Sequence, residues 1–413
     1  MKIGLIEVAV RITPWLSVSM GRLVSGQSNS LERSPHKRNP LNESVPSFSS
    51  KNQQNWFKIH NMDRIQKSTF LQTTDECEIT LYTLTNSSQI TVGILDLGGT
   101  IVSLRTPDRA GQLEDVVLAY HDPTQYLTNP MYFGGLIGRV ANRIADASFW
   151  LDDKRYNLTK NDGQNNLHSG PDGFHLRLWQ VETSTAEDSA SLNLSLHSPE
   201  GDQGYPGEVA VWVRYSLDDL NRLSIQYRAQ TTANTPLSLT NHAYFNLGGQ
   251  ACADILHHTL WIDADHFTAV NDNLIPLQHQ PVEETPFDFR EPKSIAPSIF
   301  QEDLQLKRGN GFDHNWVLNH PMSFSKAAVL SEPISGRQMT VWTDMPGVQF
   351  YAGGAINTTI PGRSGSPYPK YGGLCLETQF PPDAVNRPDF TSPILCPGQT
   401  YQHETIFEFS VSD

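Results

Sequence analysis

The sequence lacks the patterns by which many common protein classes are recognised. None of its apolar runs approaches the roughly 18 residues that a membrane span needs. It contains no Gly-x-Gly-x-x-Gly fingerprint, no phosphate-binding P-loop, no His-Glu-x-x-His and no Gly-x-Ser-x-Gly. Nothing therefore predicts a nucleotide-dependent enzyme, a zinc protease or a serine hydrolase. We expect neither a cofactor nor a metal ion.

Cysteine is also scarce. The four cysteines are far apart and form no Cys-x-x-Cys pair: Cys77, Cys252, Cys375 and Cys396. Zinc-ribbon and redox-motif spacings are therefore absent, and a disulfide framework is not expected in a chain of this size. This usage fits a reducing, cytoplasmic setting.

Basic residues are too few to balance the acidic ones, and the formal net charge is −14. This charge argues against nucleic acid and anionic membrane surfaces as partners, because both are polyanions. Residues 1–61 differ, with eight Lys and Arg against three Asp and Glu, many Ser, Asn and Gln, and no sustained periodicity. We interpret them as a disordered extension, with a targeting-like peptide as the alternative, preceding one folded domain over residues 62–413.

Short strand-like runs dominate the chain from residue 63 onward, whereas helical periodicity is scarce. Many runs alternate apolar and polar residues, and Gly, Pro, Asn and Asp clusters separate them, as in CEITLYTLT, VAVWVRYSL, RLSIQYRAQ and RQMTVWTDM. The stretch SIAPSIFQED is at most a short helical turn. The pattern predicts one large all-β domain, either a sandwich or a barrel.

Polar side chains collect where these strands meet turns. The clusters are ANR with Asn142 and Arg143, NLHSG with His168, the acidic glycine loop GDQGYPG, TNHAYFN with His242 and Tyr244, GFDHN with Asp313, and LCLETQF with Glu377. Taken singly, each has an ordinary structural reading as a salt bridge, a turn residue or a bonded core side chain. Together they offer donors and acceptors for the hydroxyls of a sugar.

Glu377 is the most informative of these residues. A carboxylate in an apolar strand costs free energy unless it is paired or hydrogen-bonded. Strand alternation places it on one face with Cys375 and Gln379. An edge-strand glutamate that faces water is the alternative. A carboxylate together with a histidine such as His242 can transfer protons near neutral pH without a cofactor, although a purely structural His242 remains open.

The motifs, in this order, resemble the aldose 1-epimerase (galactose mutarotase) family. The resemblance covers about residues 75–412 and does not reach residues 1–61. It is carried by GRVANRI, NLHSGPDGF, GDQGYPG, TNHAYFNLGG, GFDHNWVL, GVQFYAGG and LETQFPPDAVN. Several long motifs in the family's order make it far more specific than any single motif.

The resemblance implies a large antiparallel β-sandwich of the galactose mutarotase type with an open sugar cleft. It implies a reaction that interconverts the α and β anomers of a free aldose. Glu377 matches the family's general base and His242 its general acid. The residues expected to contact the sugar or support the acid–base pair are Asn142, Arg143, His168, Tyr244, Asp313 and Gln349.

Three other functions remain as alternatives to a free-aldose epimerase. A hexose-6-phosphate 1-epimerase of the same fold would need a basic cluster for the phosphate. A glycoside hydrolase would use two carboxylates, here Glu377 with Asp313. A non-catalytic sugar-binding protein would keep the cleft without the chemistry. The sequence leaves open which aldose is preferred and whether the protein is a monomer or a homodimer.

Overall fold

The computed structural model describes residues 63–73, 78–249, 252–356 and 359–412. The extension expected over residues 1–61 lies outside these residues, so its disorder and the domain boundary at residue 62 remain predictions. Among the described residues the chain forms 27 strands and only a few short helices.

The strands of the first half are mostly short, apart from three long ones at its end. They are β1 (Ile65–Gln72), β2 (Glu78–Thr85), β3 (Thr91–Leu95), β4 (Ile101–Pro107), β5 (Leu113–Asp115), β6 (Leu136–Ile137), β7 (Arg143–Ile144), β8 (Ser148–Leu151), β9 (Lys154–Asn157), β10 (Asn166–Leu167), β11 (Gln180–Thr185), β12 (Ser189–Ser198), β13 (Val209–Asp218) and β14 (Arg222–Thr231).

The second half supplies the remaining thirteen strands. They are β15 (Thr235–Pro236), β16 (Thr240–Asn241), β17 (Thr259–Ile262), β18 (His266–Val270), β19 (Pro276–Pro281), β20 (Lys293–Ser294), β21 (Asp313–Val317), β22 (Ser325–Ser331), β23 (Arg337–Thr343), β24 (Gly347–Tyr351), β25 (Cys375–Gln379), β26 (Ile394–Leu395) and β27 (Tyr401–Val411).

The helices in the described part of the chain are all short. Its two α-helices are Ala296–Ile299 and Leu304–Gly309, and single 3₁₀ turns occur at Pro123–Leu127, Ala145–Ala147, Phe174–Leu176, Asp202–Gly204 and Ala384–Asn386. The helix at residue 304 begins where the Asp303 side chain accepts hydrogen bonds from the amides of Gln305 and Leu306, which is the role of an N-cap. The predicted helical turn at SIAPSIFQED is the first of these α-helices.

Antiparallel pairing builds three main sheets. The largest has nine strands in the order β11-β12-β13-β14-β27-β23-β22-β17-β20, and two sheets have five strands, β1-β2-β3-β4-β5 and β19-β18-β21-β24-β25. In β13, alternate residues from Val209 to Leu217 are buried, as the period-two pattern in VAVWVRYSL predicts. The prediction of an all-β antiparallel sandwich is confirmed; strand β1 was not anticipated.

One apolar core joins the three sheets. It contains Val213 and Tyr215 of the nine-stranded sheet, Val92 of the first five-stranded sheet, and Phe350 and Leu376 of the second. The second five-stranded sheet therefore turns one face toward the core. Its other face carries the polar residues of β21, β24 and β25, because successive side chains of a strand point to opposite faces. No helix in the described residues is long and apolar enough to cross a membrane.

His258 couples the stability of this fold to pH. It is buried, and its Nε2 accepts the Leu247 amide at 2.9 Å. Burial lowers the pKa of His258 from 6.5 to about 4. The unfolded chain therefore binds this proton more readily than the folded chain between those two values. The stabilising contribution of His258 is complete above pH 6.5 and is lost as the pH falls toward 4.

We expect His258→Asn to lower the free energy of unfolding at pH 7.5, and the difference from wild type to shrink by about 2 kcal/mol at pH 5. The reason is that the variant has no imidazole to protonate. Urea unfolding at both pH values measures the difference. His266→Asn, at an exposed position of β18, is the control and should show no such dependence. A constant difference for His258→Asn would contradict the assignment.

Candidate active site

The polar face of the second five-stranded sheet holds two rows of side chains. Strand pairing sets Asn315, Gln349 and Glu377 opposite one another in one row. The neighbouring row contains Asp313, Tyr351 and Cys375. Residues directly opposite on antiparallel strands have Cβ atoms about 5 Å apart. The motifs GFDHN, GVQFY and LETQ are thereby brought side by side.

Glu377 is almost completely buried, with 2% of its surface exposed. Strand β25 is at the edge of its sheet, yet the side chain does not face water, so the alternative of a solvated edge glutamate is wrong. Burial raises the pKa of Glu377 well above its ordinary value; Asp313 raises it further and Arg143 opposes the rise. Its Oε2 atom has no hydrogen-bond partner among the described residues, which leaves it available to a ligand.

His242 faces Glu377 from another segment. Its Nε2 lies 3.7 Å from Glu377 Oε1, and both side chains are buried. His242 directly follows β16, which ends at Asn241. Its backbone is nevertheless fixed: the His242 amide donates to Gly135 O, and the Gly134 amide donates to His242 O. Burial lowers the pKa of His242 to about 3.

The two asparagine side chains of TNHAYFN, Asn241 and Asn246, donate hydrogen bonds to backbone carbonyls. Asn241 Nδ2 donates to Gly134 O at 2.7 Å. Asn246 Nδ2 donates to the carbonyls of Cys252 and Gly372, each at 3.0 Å. Asn241 therefore holds Gly134, which with Gly135 is hydrogen-bonded to the backbone of His242. Asn246 ties the end of the TNHAYFN run to the carbonyls of Cys252 and Gly372. Both asparagines of TNHAYFN therefore stabilise the local backbone.

His168 is held next to His242 by the backbone of Asn142. The Asn142 amide donates to His168 Nδ1 at 3.1 Å, and Asn142 O accepts the His168 amide. His168 and Ser169 have positive φ angles of 52° and 68°, which turn the chain sharply at NLHSG. The rings of His168 and His242 are 5.2 Å apart. Because Nδ1 accepts a hydrogen bond, the neutral His168 ring carries its proton on Nε2.

Arg143, Asp313 and Gln349 form a linked group of largely buried side chains in the same cluster. Arg143 Nε donates to Asp162 at 2.7 Å, and its Nη1 is 4.0 Å from Asp313 Oδ2. Gln349 Nε2 donates to Asp313 Oδ1 at 2.7 Å. Burial raises the pKa of Asp313, while Arg143 and Gln349 oppose that rise. The carboxylate is thus fixed in position and keeps acceptor capacity for hydroxyl groups.

Aromatic rings complete the cluster, and two of these residues, Tyr132 and His175, were not anticipated from the sequence. Tyr132 has its ring centre 4.7 Å from each of His168 and His175, and 5.7 Å from His242. The predicted residue Tyr244 packs 5.0 Å from His242. The YFGG run was the available signal: a Cβ added at Gly135 would lie 2.8 Å from His175 Cβ, so glycine lets the chain that follows Tyr132 pass close to His175.

The structure therefore brings all eight predicted site residues into one connected cluster. Contacts or strand pairing link each to at least one other: Asn142, Arg143, His168, His242, Tyr244, Asp313, Gln349 and Glu377. Their individual roles remain predictions. The arrangement sets His242 Nε2 3.7 Å from Glu377 Oε1, among side chains that can donate and accept hydrogen bonds.

The same cluster contains three groups that could approach a metal ion. Ligand atoms of His168, His242 and Glu377 lie within 4.8 Å of one another. A metal needs an imidazole lone pair. In His168, however, Nδ1 already accepts the Asn142 amide and Nε2 bears the proton. The donor set therefore fits proton transfer better than metal binding.

One motif of the resemblance lies outside the cluster. The loop that contains GDQGYPG is held by the buried guanidinium of Arg139, which donates to five oxygens: Ser198 Oγ and the carbonyls of Ser198, Pro199, Pro206 and Gly207. Burial lowers the pKa of Arg139 to about 10. Asp202, the acidic residue of the GDQGYPG loop, pairs with Arg177. This motif therefore supports the fold and not the candidate site.

Comparison with known proteins gives this cluster a context. The sequence model of the family described as aldose 1-epimerase matches residues 80–408. The chain belongs to the aldose 1-epimerase family. Galactose mutarotase from Sus scrofa is 44% identical over 327 residues, covering 79% of this chain and 93% of the relative. Aldose 1-epimerase from Escherichia coli K12 is 37% identical over 333 residues, covering 80% and 94%.

Solved structures agree with this membership of the aldose 1-epimerase family. Galactose 1-epimerase from Lactobacillus acidophilus has a TM-score of 0.74 at 27% identity, covering 84% of this chain and 99% of that one. An aldose epimerase homologue from C. elegans has a TM-score of 0.73 at 30% identity, covering 81% and 99%. Residues 1–61 lie outside the family match, as the sequence resemblance predicted.

We expect Arg139→Met to lower the free energy of unfolding by about 3–5 kcal/mol, because it leaves buried acceptors without their donor. Chemical unfolding monitored by tryptophan fluorescence measures the loss.

Arg177→Met is the matched control at the same loop. Arg177 is 28% exposed and pairs with Asp172 and Asp202, so its loss should cost no more than about 1 kcal/mol. Equal effects of the two substitutions would contradict the structural role assigned to Arg139.

Proposed function

We propose that this protein interconverts the α and β anomers of free aldohexoses, such as galactose and glucose, by general acid–base ring opening and reclosure. The observation that carries the proposal is the buried pair of His242 and Glu377, with Nε2 and Oε1 3.7 Å apart. Membership of the aldose 1-epimerase family supports it, as do relatives named galactose mutarotase at 44% identity.

In this mechanism Glu377 removes the proton of the anomeric hydroxyl. The anomeric carbon and its oxygen then form a carbonyl as the bond to the ring oxygen breaks. His242 delivers its Nε2 proton to the departing ring oxygen. Rotation about the bond next to the aldehyde exposes the other carbonyl face. Reclosure returns the ring-oxygen proton to His242 and the Glu377 proton to the new anomeric hydroxyl.

The proton count of the pair suits this reversal. Glu377 and His242 share one proton, as carboxylate with imidazolium before ring opening and as carboxylic acid with neutral imidazole at the open-chain stage. Both arrangements have the same net charge, so no proton from solvent is needed between the steps. Burial raises the pKa of Glu377 and lowers that of His242 to about 3, which favours the neutral arrangement. The charged arrangement that starts the reaction is therefore the less populated one, and ring opening returns the pair to the favoured neutral arrangement.

The surrounding residues would bind and orient the sugar. The tautomer of His168 fixed by Asn142 presents an N–H from Nε2 for a sugar oxygen. Asp313, held by Gln349 and facing Arg143, would accept hydroxyl protons. Tyr132 and Tyr244 would line the cleft with apolar ring surface, on which the C–H faces of a hexose can pack. Such positioning and proton transfer need neither a covalent intermediate nor a metal.

The substrate class, the cellular location and the oligomeric state belong to the same proposal. The substrate is a small free sugar, and the acidic net charge of −14 disfavours nucleic acid as a partner. We place the reaction in the cytoplasm, which the unpaired thiols of Cys252, Cys375 and Cys396 favour. Monomer and homodimer both remain open.

A sugar phosphate fits this cluster less well than a free sugar. Arg143 is the cation that acts on Glu377, and it is already engaged by Asp162 and Asp313. A phosphate would have to displace one of these carboxylates from Arg143. This electrostatic argument favours the free aldose over hexose 6-phosphate.

Polarimetry tests the proposal. Freshly dissolved α-D-galactose or α-D-glucose should reach its equilibrium rotation faster with wild-type protein, with the same endpoint. Glu377→Gln and His242→Asn should each reduce the catalysed rate by about a hundredfold or more, the range of a lost proton-transfer group. The ratio of rates for the two sugars measures the preference.

Exposed positions supply matched controls: Glu283→Gln and His266→Asn should retain the wild-type rate. Methyl α-D-galactoside cannot open its ring and should not change rotation, whereas a glycoside hydrolase would cleave it. Galactose 6-phosphate tests the phosphate alternative. A wild-type protein that binds galactose without accelerating its mutarotation would overturn the proposal in favour of a sugar-binding protein.

A further inference from the structure

A buried thiol contacts the far side of the His242 ring. Cys375 Sγ lies 3.4 Å from His242 Nδ1, and both residues are buried. Cys375 shares a strand face with Glu377, two residues further along β25. Strand β25 therefore contacts both nitrogens of the ring, Nδ1 through the thiol and Nε2 through the carboxyl. The acid–base mechanism uses only the second of these contacts.

We propose that Cys375 is a positioning residue for the reaction, which holds the His242 imidazole through Nδ1 and adjusts its acidity. This inference rests on the proposed function. It concerns a group that does not touch the sugar and acts only through His242.

The chemistry of the thiol suits a histidine that alternates between acid and base. The Nδ1 atom carries a proton in the imidazolium and in one neutral tautomer, and it is an acceptor in the other tautomer. A thiol can donate to Nδ1 in the tautomer where Nδ1 is an acceptor. It can accept from Nδ1 in the imidazolium and in the other tautomer, since sulfur is both a weak donor and a weak acceptor. A backbone amide, the partner of His168 Nδ1, can only donate. A carboxylate can only accept.

The weakness of sulfur as an acceptor matters as well. A carboxylate at Nδ1 would stabilise the imidazolium strongly and make His242 a poorer acid. The thiol stabilises it little, so the proton on Nε2 remains easy to transfer. Burial raises the pKa of the Cys375 thiol, with Glu377 and Asp313 acting in the same direction. The partner of Nδ1 is therefore a neutral thiol and not a thiolate.

Other titratable groups also face His242, and they set the background for any pH effect. They come from several segments packed around the ring: Tyr132, His168, His175, Tyr244 and Glu377. None of these contacts Nδ1 in a hydrogen bond within the part of the chain that the structure describes. A change confined to residue 375 thus alters the Nδ1 environment while the contacts at Nε2 remain.

Two substitutions of Cys375 test the inference through the pH dependence of kcat/KM for galactose. Cys375→Val fills the space but removes the partner, and should lower kcat about tenfold, the rate equivalent of one hydrogen bond. Its profile should shift so that His242 is protonated only at lower pH. Cys375→Ser supplies a stronger acceptor, should retain more activity than Cys375→Val, and should shift the profile toward higher pH.

Cys396→Ser, at a half-buried position outside the cluster, is the control and should match wild type. Thermal unfolding of each variant separates packing loss from the effect on His242. Opposite shifts of the two profiles support the inference. Profiles that superimpose on wild type, with rate losses that follow stability alone, overturn it. A wild-type protein without mutarotase activity would instead defeat the proposed function, so the two failures are distinguishable.

Discussion

The burial of the Glu377 carboxyl beside the His242 ring, 3.7 Å apart, is the constraint on which the rest of the site depends. Neither group can be charged alone at low cost in such surroundings. Each shifts the proton balance toward a neutral pair, which is the state that ring opening of a sugar would create. Glu377 Oε2, which has no hydrogen-bond partner within the described ranges, and the fixed tautomer of His168 then leave hydrogen-bonding capacity that a ligand could use.

The β-sandwich holds these two buried ionisable side chains in place through its hydrogen-bonded backbone, which offsets the free-energy cost of burying them. On the core side of β24 and β25, apolar residues such as Phe350 and Leu376 pack into a core shared by three sheets. On the opposite side, strand register alone aligns Asn315, Gln349 and Glu377. His242 comes from a different segment, and the amide and carbonyl of its backbone are bonded to the glycine pair at 134–135. Catalytic groups on fixed backbone are held more precisely than groups on free loops.

Much of this organisation could be predicted from the sequence. Period-two alternation predicted long strands of the nine-stranded sheet such as β13, β14 and β23, and the face shared by Cys375, Glu377 and Gln379 followed from the same rule. Long-range placement could not be predicted. Nothing local shows that GDQGYPG is bound by Arg139, or that Tyr132 packs on three histidines. Nor does the run TNHAYFN show that regular pairing stops after Asn241 or that its asparagines donate to the distant carbonyl of Gly134 and the nearby carbonyl of Cys252.

A double-mutant cycle measures the central claim most directly, namely that Glu377 and His242 act as one unit. Exchange NMR on equilibrated galactose gives the interconversion rate of the anomers for wild type, Glu377→Gln, His242→Asn and the double variant. Groups that act as a unit are strongly non-additive. The account predicts that the double variant is no more than about tenfold slower than the slower single variant. Losses that multiply in full, or a single variant with the wild-type rate, would contradict it.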